Sequence, residues 1–508
     1  MDKIFNKMKA LLDTNIVIHR EAGRVVNQDI GILFRWLDRA KYSKCIHPVT
    51  IAEIQKNPNK ETVQAFMAKL NSYEQIIIPA PLQSEVKAIS EELDINENDK
   101  NDTILLNEVF TGRVDILITE DKKIHVKARR LNIADKVFKI DYFLEKIFSE
   151  HPDLVDYKVL NVQKKHFGHI DISDDFFNSF KEDYQGFNKW FIKKTDDVAY
   201  VTTNKVNGLV LSFLYLKAEE KSENYNDIIP IFAPKKRLKI GTFKVINNGF
   251  RLGERFMKII FDNALVNKVE EIYVTIFDHR DEQKRLIELM EQWGFIFWGM
   301  KGFERVYVRD FNPSFNIENL KANYPFISKK NGIFIVPIYD SYHTELLPDS
   351  ILNNESPLEF VEDFPHRNGI SKVYVSRAMY PHPQRGDLLV FYRTGGYYKS
   401  VITTIGLVQE VIHDIQNVED FIFQCRKGSV FPESELRDMW NYNKSNKPFV
   451  VRFLYVYSFP HRINLKQLID LGVIAGVDDA PRGFKPISVE KFNLILKETK
   501  SDESFIID

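Results

Sequence analysis

Cysteine is scarce and long apolar runs are missing from this 508-residue sequence. Its two cysteines, Cys45 and Cys425, lie far apart and in no metal-ligand spacing, which suggests neither a disulfide framework nor a zinc site. No stretch reaches the ~18 consecutive apolar residues of a membrane span, and the first residues lack an apolar stretch of signal-peptide length. We therefore expect a soluble, cytoplasmic protein in a reducing compartment, with no membrane partner.

An excess of charge of either sign is also missing. The 70 basic and 71 acidic residues give a formal net charge of -1. No global positive field therefore attracts nucleic acid, and a nucleic-acid partner would need a local basic patch. Hydrophobic residues make up 44% of the chain and charged residues 28%, as in ordinary globular proteins. At roughly 150 residues per domain, this length predicts three or four domains.

Strand and helix patterns alternate over the first 150 residues. Short apolar runs predict strands at 10–12, 45–48, 76–78, 116–119 and 137–140. Helical patterns between them complete βαβ units, which predict a parallel sheet with helices on both faces. Ligands of such sheets bind beyond the carboxyl ends of the strands, so the residues that follow the strands are the first candidates for function.

Acidic residues lie at the junctions between these strands and the helices that follow them. The four are Asp13, Glu53, Asp102 and Asp121. Each has a structural explanation of its own. Glu53 can complete a capping box with Thr50, Asp102 can cap the helix 102–110, and Asp121 can favour the start of the helix after it.

Taken together, the four acids predict a site, because clustered carboxylates repel one another unless divalent cations neutralise them. Oxygen-only ligands suit Mg²⁺ or Mn²⁺, and two such ions can activate water and stabilise the leaving oxygen of a phosphodiester. The pattern thus predicts metal-dependent phosphodiester hydrolysis, with Asp13, Glu53, Asp102 and Asp121 as catalytic and metal-binding residues.

The segments LLDTN (11–15), the helix with Glu53, Asn101-Asp102 and ILITEDKKI (116–124) resemble the four acidic motifs of PIN domains. This nuclease fold occurs in many toxins of toxin-antitoxin pairs and in RNA-processing endonucleases. The resemblance implies a Mg²⁺- or Mn²⁺-dependent endoribonuclease whose partners are RNA, tRNA among the candidates, and an inhibitory protein. It also implies that Thr119 helps to position a ligand, whereas nearby Asp99 is expected to be a solvated acid.

Two rival interpretations of the first strand are weaker. A phosphatase of the haloacid dehalogenase type also has an aspartate after its first strand, but it has a second aspartate where this chain has Asn15. A dinucleotide site would require G-x-G-x-x-G after that strand, and the motif is missing there.

From residue 155 to residue 312 the pattern begins with strands. Asn207-Gly208 between two apolar runs predicts a β-hairpin. A strand at 237–245, a glycine-containing loop and a helix at 253–266 follow, and free backbone N-H groups at such a helix start attract anions. Close packing of the helix explains the glycines equally well. The candidate ligand-binding residues are Asn248, Gly249, Arg251, Gly253 and Arg255.

The segments KIGTFKVINNGFRLGERFMKIIFDNA, EEIYVTIF and DEQKRLIELMEQWGF resemble, in this order, the core of GNAT acetyltransferases. The resemblance implies acetyl-CoA as a cofactor, with its pyrophosphate on the loop amides. The family's Q/R-x-x-G-x-G/A loop is matched only at Gly253, since Asn248 and Arg251 occupy two of its other positions. An acetyltransferase acting on an aminoacyl-RNA or a protein amine, with the PIN-like domain used for binding, is thus the alternative to the nuclease.

Strand patterns dominate residues 325–500, after an expected linker at 313–325. They lie at 333–338, 372–376, 388–392, 401–411 and 449–457 and predict mostly antiparallel, barrel-like packing. PQRGDLLVFYRTGG and SVITTIGLVQEV resemble the ASCH and EVE branches of the PUA-like superfamily, which implies binding of RNA or a modified base. Tyr392, Tyr397 and Tyr398, near Arg393 and Lys399, can stack on bases and hold phosphates, or fill the barrel.

The expected fold is therefore multidomain, of α/β and α+β class. A PIN-like parallel α/β sheet (1–150) precedes a GNAT-like mixed α+β domain (155–312) and a PUA-like β-barrel (325–500). A third interpretation makes all three modules an RNA-binding or regulatory scaffold. The four acids argue against it, because a pure binder gains nothing from negative charge where a phosphate must lie.

Overall fold

A computed structural model describes residues 7–21, 28–56, 59–140, 142–144, 147, 162–204, 207–246, 251–350, 367, 369–395, 400–426 and 428–508. The chain divides into two compact units, Met1–Asp156 and Tyr157–Asp508. None of the helices in this part of the chain has the length and apolarity that a membrane crossing requires. Cys45 and Cys425 are both buried free thiols.

The first unit contains a five-stranded sheet in which every pairing is parallel. Its strands are β1 (Lys9–Leu12), β2 (Ser43–Ile46), β3 (Glu74–Gln75), β4 (Ile116–Ile118) and β5 (Val137–Phe138), in the order β3-β2-β1-β4-β5. The helices are α1 (Thr14–Glu21), α2 (Gln28–Arg39), α3 (Pro48–Gln55), α4 (Lys60–Leu70), α5 (Ser84–Leu93), α6 (Glu97–Phe110) and α7 (Lys122–Arg130). The central strand β1 is almost wholly buried, as the apolar run at 10–12 predicts.

Three element boundaries in this unit differ from the sequence-based prediction. The strand expected at 45–48 ends at Ile46, because His47 caps α3 and Pro48 occupies its first turn. The run at 76–78 lies after β3 and leaves Ile77 exposed. The helix expected to start at residue 102 starts at Glu97 instead.

The second unit begins with a seven-stranded mixed sheet. Its strands are β6 (Gln163–His166), β7 (Val198–Thr203), β8 (Val210–Glu219), β9 (Arg237–Val245), β10 (Glu271–Ile276), β11 (Ile296–Lys301) and β12 (Glu304–Asp310), in the order β11-β12-β10-β9-β8-β7-β6. Only β9 and β10 pair in parallel among these strands. The predicted hairpin is β7-β8, whereas β12 was not predicted.

A six-stranded mixed sheet completes this unit. Its strands are β13 (Ile333–Ile338), β14 (Ser371–Ser376), β15 (Leu388–Arg393), β16 (Val401–Ile412), β17 (Phe449–Ser458) and β18 (Lys485–Pro486), in the order β14-β17-β16-β15-β13-β18. β13 and β15 are parallel and the other pairs antiparallel. Because this order is open within the described residues, a closed barrel stays a prediction.

Helices occur between the strands of both sheets along the second unit. They are α8 (Asn178–Asp183), α9 (Phe187–Ile192), α10 (Leu252–Asn267), α11 (Asp281–Gln292), α12 (Leu320–Asn323), α13 (Asp340–Leu346), α14 (Val418–Cys425), α15 (Glu433–Tyr442), α16 (Leu465–Asp470) and α17 (Val489–Glu498). One continuous apolar core joins the two sheets. The expected linker at 313–325 contributes to it, since Leu320 and Tyr324 are buried there. The separation of this unit into GNAT-like and PUA-like domains stays a prediction.

Candidate functional site

Two of the four predicted acids of the first unit follow neighbouring strands, and the other two lie on helices. Asp13 comes directly after β1, Asp121 follows the adjacent β4, Glu53 lies on α3 and Asp102 on α6. The carboxyl ends of parallel strands share one edge of a sheet. Their charges act on one another there, because Asp13, Asp121 and Glu53 all raise the pKa of Asp102.

Asp13 is buried at this edge. Its Oδ2 accepts a 2.7 Å hydrogen bond from the Thr119 hydroxyl, and its backbone N-H donates to the carbonyl of Ile118 at 3.1 Å. Burial raises the pKa of Asp13, the hydrogen bond from Thr119 opposes this, and the charges of Asp121 and Glu53 raise the pKa further. The carboxylate is therefore fixed in orientation and surrounded by other negative charges.

Asp102 is an acid with a strongly raised pKa. It lies inside α6 rather than at its start, where Asn96 is the N-cap, so the expected capping role of Asp102 is wrong. Burial, then the charge of Asp13 and then that of Asp121 raise the pKa of Asp102 to about 7, while the charge of Lys127 lowers it. Near neutral pH this carboxyl group can thus change its protonation state.

Glu53 and Asp121 are held by different partners. Asn101 donates a 2.7 Å hydrogen bond from Nδ2 to Oε1 of Glu53. The expected capping box between Glu53 and Thr50 is wrong, because His47 caps α3. Asp121 does cap α7, since its Oδ1 accepts from the backbone N-H groups of the second and third helical residues.

Asp99 is not the solvated acid that the sequence suggested. It is buried, and it accepts hydrogen bonds from Lys123 Nζ at 2.7 Å and from the Ile95 backbone N-H at 3.0 Å. Lys127, one turn further along α7, forms a buried ion pair with Asp94 at 2.5 Å.

A divalent cation suits the chemistry of the four acids, because their ligand atoms are all carboxylate oxygens. In the part of the chain that the structure describes, no three His, Cys, Asp or Glu side chains already converge tightly enough to hold a metal ion. The metal-binding role of Asp13, Glu53, Asp102 and Asp121 therefore stays a prediction.

The second candidate site lies at the start of α10. Asn248 and Gly249 lie outside the described residues. Arg251 donates to Glu254 Oε1 at 2.6 Å and to the Ser371 carbonyl at 2.7 Å, and Arg255 forms an ion pair with Asp349. Both predicted phosphate-binding guanidinium groups are thus engaged within the protein.

Gly253, the loop position that matches the GNAT motif, has a packing role. A Cβ atom added there would lie 2.7 Å from Cδ2 of Leu289 on α11. A bulky residue at position 253 would therefore disturb the contact between two helices, whether or not a cofactor binds nearby.

The strands β9 and β10 part at one end. Their parallel pairing runs from Arg237 and Glu271 to Ile240 and Val274, but β9 continues to Val245 and β10 to Ile276. The far end of β9 pairs only with β8, on its other side, among the described strands. Its free edge offers backbone N-H and C=O groups to an extended ligand that contains amides.

A cavity of about 340 Å³ lies beside β17 in the C-terminal part. It is lined by Ala378, Met379, Tyr380, His382, His413, Ile415, Trp440, Asn446, Lys447, Pro448 and Phe449. The rings of His382, His413 and Phe449 stack on one another at 4.6 to 4.7 Å between centroids. Tyr442 is exposed, and the guanidinium of Arg377 lies 5.0 Å from the centre of its ring.

Tyr392 is only 2% exposed and fills the core, as the second of the two interpretations of these aromatic residues predicts. Tyr397, Tyr398 and Lys399 lie outside the described residues. Tyr380 and His382 carried a usable signal, because each directly precedes a proline in AMYPHPQRGD. Prolines keep such a segment out of a strand interior and so leave its side chains accessible.

No family model matches the sequence, and no curated protein matches it. Parts of the chain are similar to solved structures. The NatC complex bound to Gag peptide and CoA is 16% identical, with 29% of this chain and 96% of that chain covered and a TM-score of 0.20. The N-acetyltransferase PseH of Campylobacter jejuni is 12% identical, with 29% of this chain and 97% of that chain covered and a TM-score of 0.19.

Human THYN1 in complex with DNA that contains 5-methylcytosine is 13% identical, with 34% of this chain and 99% of that chain covered and a TM-score of 0.20. NatC and PseH are of the kind that the GNAT-like resemblance predicts, and THYN1 is of the kind that the PUA-like resemblance predicts. None of the three descriptions names a nuclease.

Proposed function

We propose that the first unit is a metal-dependent endoribonuclease. The observation that carries the proposal is the mutual repulsion of Asp13, Glu53, Asp102 and Asp121, which helps to raise the pKa of Asp102 to about 7. Structural acids in the same unit behave differently, because Asp94 and Asp99 each pair with a lysine. None of the four forms an ion pair with a basic side chain of the described residues. Concentrated negative charge that no ion pair neutralises costs stability and is typical of functional sites.

Bound Mg²⁺ or Mn²⁺ at this edge would supply Lewis-acid stabilisation of the phosphodiester and an activated water. Asp13, Asp102 and Asp121 would hold the ions through carboxylate oxygens. Glu53, restrained by Asn101, would help to bind an ion or orient the water. Thr119 keeps Asp13 in position through its hydroxyl.

The test is cleavage of total cellular RNA by the purified full chain with Mn²⁺, Mg²⁺ or EDTA. We expect discrete products that require a metal and disappear in Asp13→Asn. The matched control is Glu92→Gln, which removes an exposed carboxylate that pairs with Arg130 on the surface. Undiminished cleavage by a folded Asp13→Asn variant would contradict the assignment, and sequencing of the product ends would identify the RNA.

A second candidate function is N-acetyl transfer by the second unit, from acetyl-CoA to the amine of an aminoacyl-RNA or a protein. The parting of β9 and β10 favours it, because an extended acyl-CoA arm carries amides that can pair with a free strand edge. Arg251 already pairs with Glu254, and Arg255 pairs with Asp349. Backbone groups would therefore supply most of the affinity for acetyl-CoA.

Calorimetry with the full chain tests this second function. We expect saturable binding of acetyl-CoA and of CoA, and none of ATP, which shares the adenosine phosphate but lacks the amide-containing arm. Equal binding of all three would indicate general phosphate affinity, and no binding of acetyl-CoA would eliminate the acetyltransferase.

The C-terminal part, in this proposal, selects nucleic acid. The cavity beside β17 presents stacked rings, and Tyr380 and Tyr442 are open to solvent near Arg377. Exposed aromatic rings beside a cation are suited to single-stranded RNA, because bases stack on the rings while the cation meets the backbone.

A further inference from the structure

Lys123 lies beside the four acids of the first unit. It follows Asp121 by two residues, and its backbone N-H donates to Oδ1 of Asp121 at 2.6 Å. Its side-chain Nζ donates to Oδ1 of Asp99 at 2.7 Å. Asp99 precedes Asp102 by three residues on α6, so the two carboxylates are neighbours on that helix. Lys123 thus contacts one of the four acids through its backbone, and its ammonium group lies about one helical turn from another.

The charges of the acids act on this ammonium group. The hydrogen bond to Asp99 raises the pKa of Lys123, and the charges of Asp99, Asp121 and Asp102 raise it further. Lys123 therefore stays protonated at neutral pH. It supplies a positive charge at the edge of the sheet that a phosphodiester has to approach.

Lys123 can change its partner, whereas Lys127 on the same helix cannot. The Lys123 side chain is 56% exposed, and its ammonium group has one acceptor among the described residues. Lys127 is 1% exposed and is held by three acceptors. The Asp99 carboxylate keeps a hydrogen bond when Lys123 leaves, because its Oδ2 accepts from the Ile95 backbone N-H at 3.0 Å. Lys127 also stays bonded to the Asp99 carbonyl.

The proposed metal ions alone leave no surplus of positive charge for the RNA. Two divalent cations only balance the charge of four ionised carboxylates, those of Asp13, Glu53, Asp102 and Asp121. Every nucleotide of the RNA brings a further negative charge, and proteins neutralise such charges with lysine and arginine. A lysine has a flexible four-carbon stem, so its ammonium group can move to a phosphate while its backbone stays fixed.

We propose that Lys123 leaves Asp99 and binds a phosphate of the RNA at the site of the four acids. The proposal rests on the nuclease assignment and adds a substrate-binding residue to it. Bound metal ions would favour the exchange, because they neutralise Asp102 and Asp121, whose charges attract the ammonium group. In the absence of RNA, Asp99 holds the ammonium group beside the site.

Initial rates of cleavage by the full chain test the proposal, with Mn²⁺ and a fluorogenic single-stranded RNA of mixed sequence. Lys123→Gln should lower kcat/KM roughly 5-fold or more, because a hydrogen bond between charged groups is lost. The slope of log(kcat/KM) against log salt concentration should become shallower by ~0.7, the contribution of one phosphate contact with a single strand. Lys123→Arg, which keeps the charge, should retain the wild-type slope.

The matched control is Lys9→Gln. Lys9 is 44% exposed and pairs with Glu74, and it lies at the amino end of β1, at the opposite edge of the sheet from Asp13. Its replacement removes the same charge and should change neither kcat/KM nor the salt slope. Thermal melting identifies any variant that fails to fold.

Three outcomes would overturn the phosphate contact and leave the nuclease in place. They are an unchanged kcat/KM in Lys123→Gln, a lower kcat/KM with an unchanged salt slope, and an equal loss in Lys9→Gln. The second outcome would show a structural effect, because the loss of a phosphate contact has to change the salt slope. A wild-type chain that cleaves no RNA with any metal would overturn the nuclease assignment itself and this contact with it.

Discussion

The Thr119 hydroxyl donates a 2.7 Å hydrogen bond to Oδ2 of Asp13, although 106 positions separate the two residues. The same hydroxyl accepts a 3.0 Å hydrogen bond from the backbone N-H of Asp121. One side chain thus holds together the carboxyl ends of β1 and β4 and the two acids that follow them.

Replacing Thr119 by Val should therefore reduce cleavage without unfolding the first unit. A hydrogen bond to a charged group contributes ~1.5–3 kcal/mol, so we expect a roughly 10- to 100-fold lower rate. The pKa of Asp13 should rise further, because the Thr119 hydrogen bond lowers it. A pH profile of the cleavage rate would show its acid limb at higher pH. Thr119→Ser, which keeps the hydroxyl, should restore both properties, and an unchanged profile in Thr119→Val would contradict the positioning role.

Asp102 should make the stability of the first unit depend on pH when no divalent cation is present. Its pKa of about 7 in the folded protein exceeds the ordinary value of 3.8, so the folded state binds more protons than the unfolded state between these pH values. Stability should therefore fall as the pH rises from about 4 to about 7. Above this range, Asp102→Asn should melt higher than wild type in EDTA, by roughly 2–4 °C for each kcal/mol of repulsion removed.

Thermal scans at pH 8 with EDTA or Mg²⁺ provide the check. Mg²⁺ should stabilise the wild type more than it stabilises Asp102→Asn, because a bound cation relieves the same repulsion. A variant that melts below wild type in EDTA would show that the Asp102 carboxylate is not under electrostatic stress.

Lys127 is predicted to be essential for folding of the first unit. Its ammonium group is 1% exposed, pairs with Asp94, and donates to the Asp99 carbonyl at 2.8 Å and the Thr103 hydroxyl at 2.7 Å. Lys127→Met would leave the buried Asp94 carboxylate without its cation, at a cost of ~3–5 kcal/mol. Lys123→Met is the matched control. Lys123 pairs with Asp99 and is 56% exposed, so its replacement should cost less than ~1 kcal/mol of stability. Denaturant unfolding measures the free energy of unfolding of both variants. Equal losses of stability in the two variants would contradict the prediction for Lys127.

Tyr380 should contribute to binding of single-stranded RNA by the C-terminal part. Loss of one stacking ring costs ~1–3 kcal/mol, so Tyr380→Ala should weaken binding roughly 10-fold or more. Fluorescence anisotropy with a labelled oligonucleotide measures the affinity. Tyr339→Ala, which removes another exposed tyrosine outside the cavity, should leave the affinity unchanged. Equal effects of the two substitutions would show that the cavity has no special role.

Local patterns were sufficient to locate most strands. The bounds of β9 and β13 agree with the sequence-based prediction at both ends, since alternation or continuous apolarity defines a strand over a few residues. β12 was not predicted, although Val306 and Val308 have the two-residue spacing of a strand face. The sequence left two interpretations of Tyr392 open, and its burial in the core depends on the neighbouring strands.

The sequence by itself determined that the first unit has βαβ alternation and that acids stand at its strand ends, because both features depend on spacing along a few residues. Only the tertiary structure decided which acids face one another and which are neutralised. Asp94 and Asp99 pair with lysines of α7, whereas Asp13 and Asp102 experience other carboxylates. These contacts depend on how α6 packs against α7 and the sheet, which brings together residues that no local pattern relates.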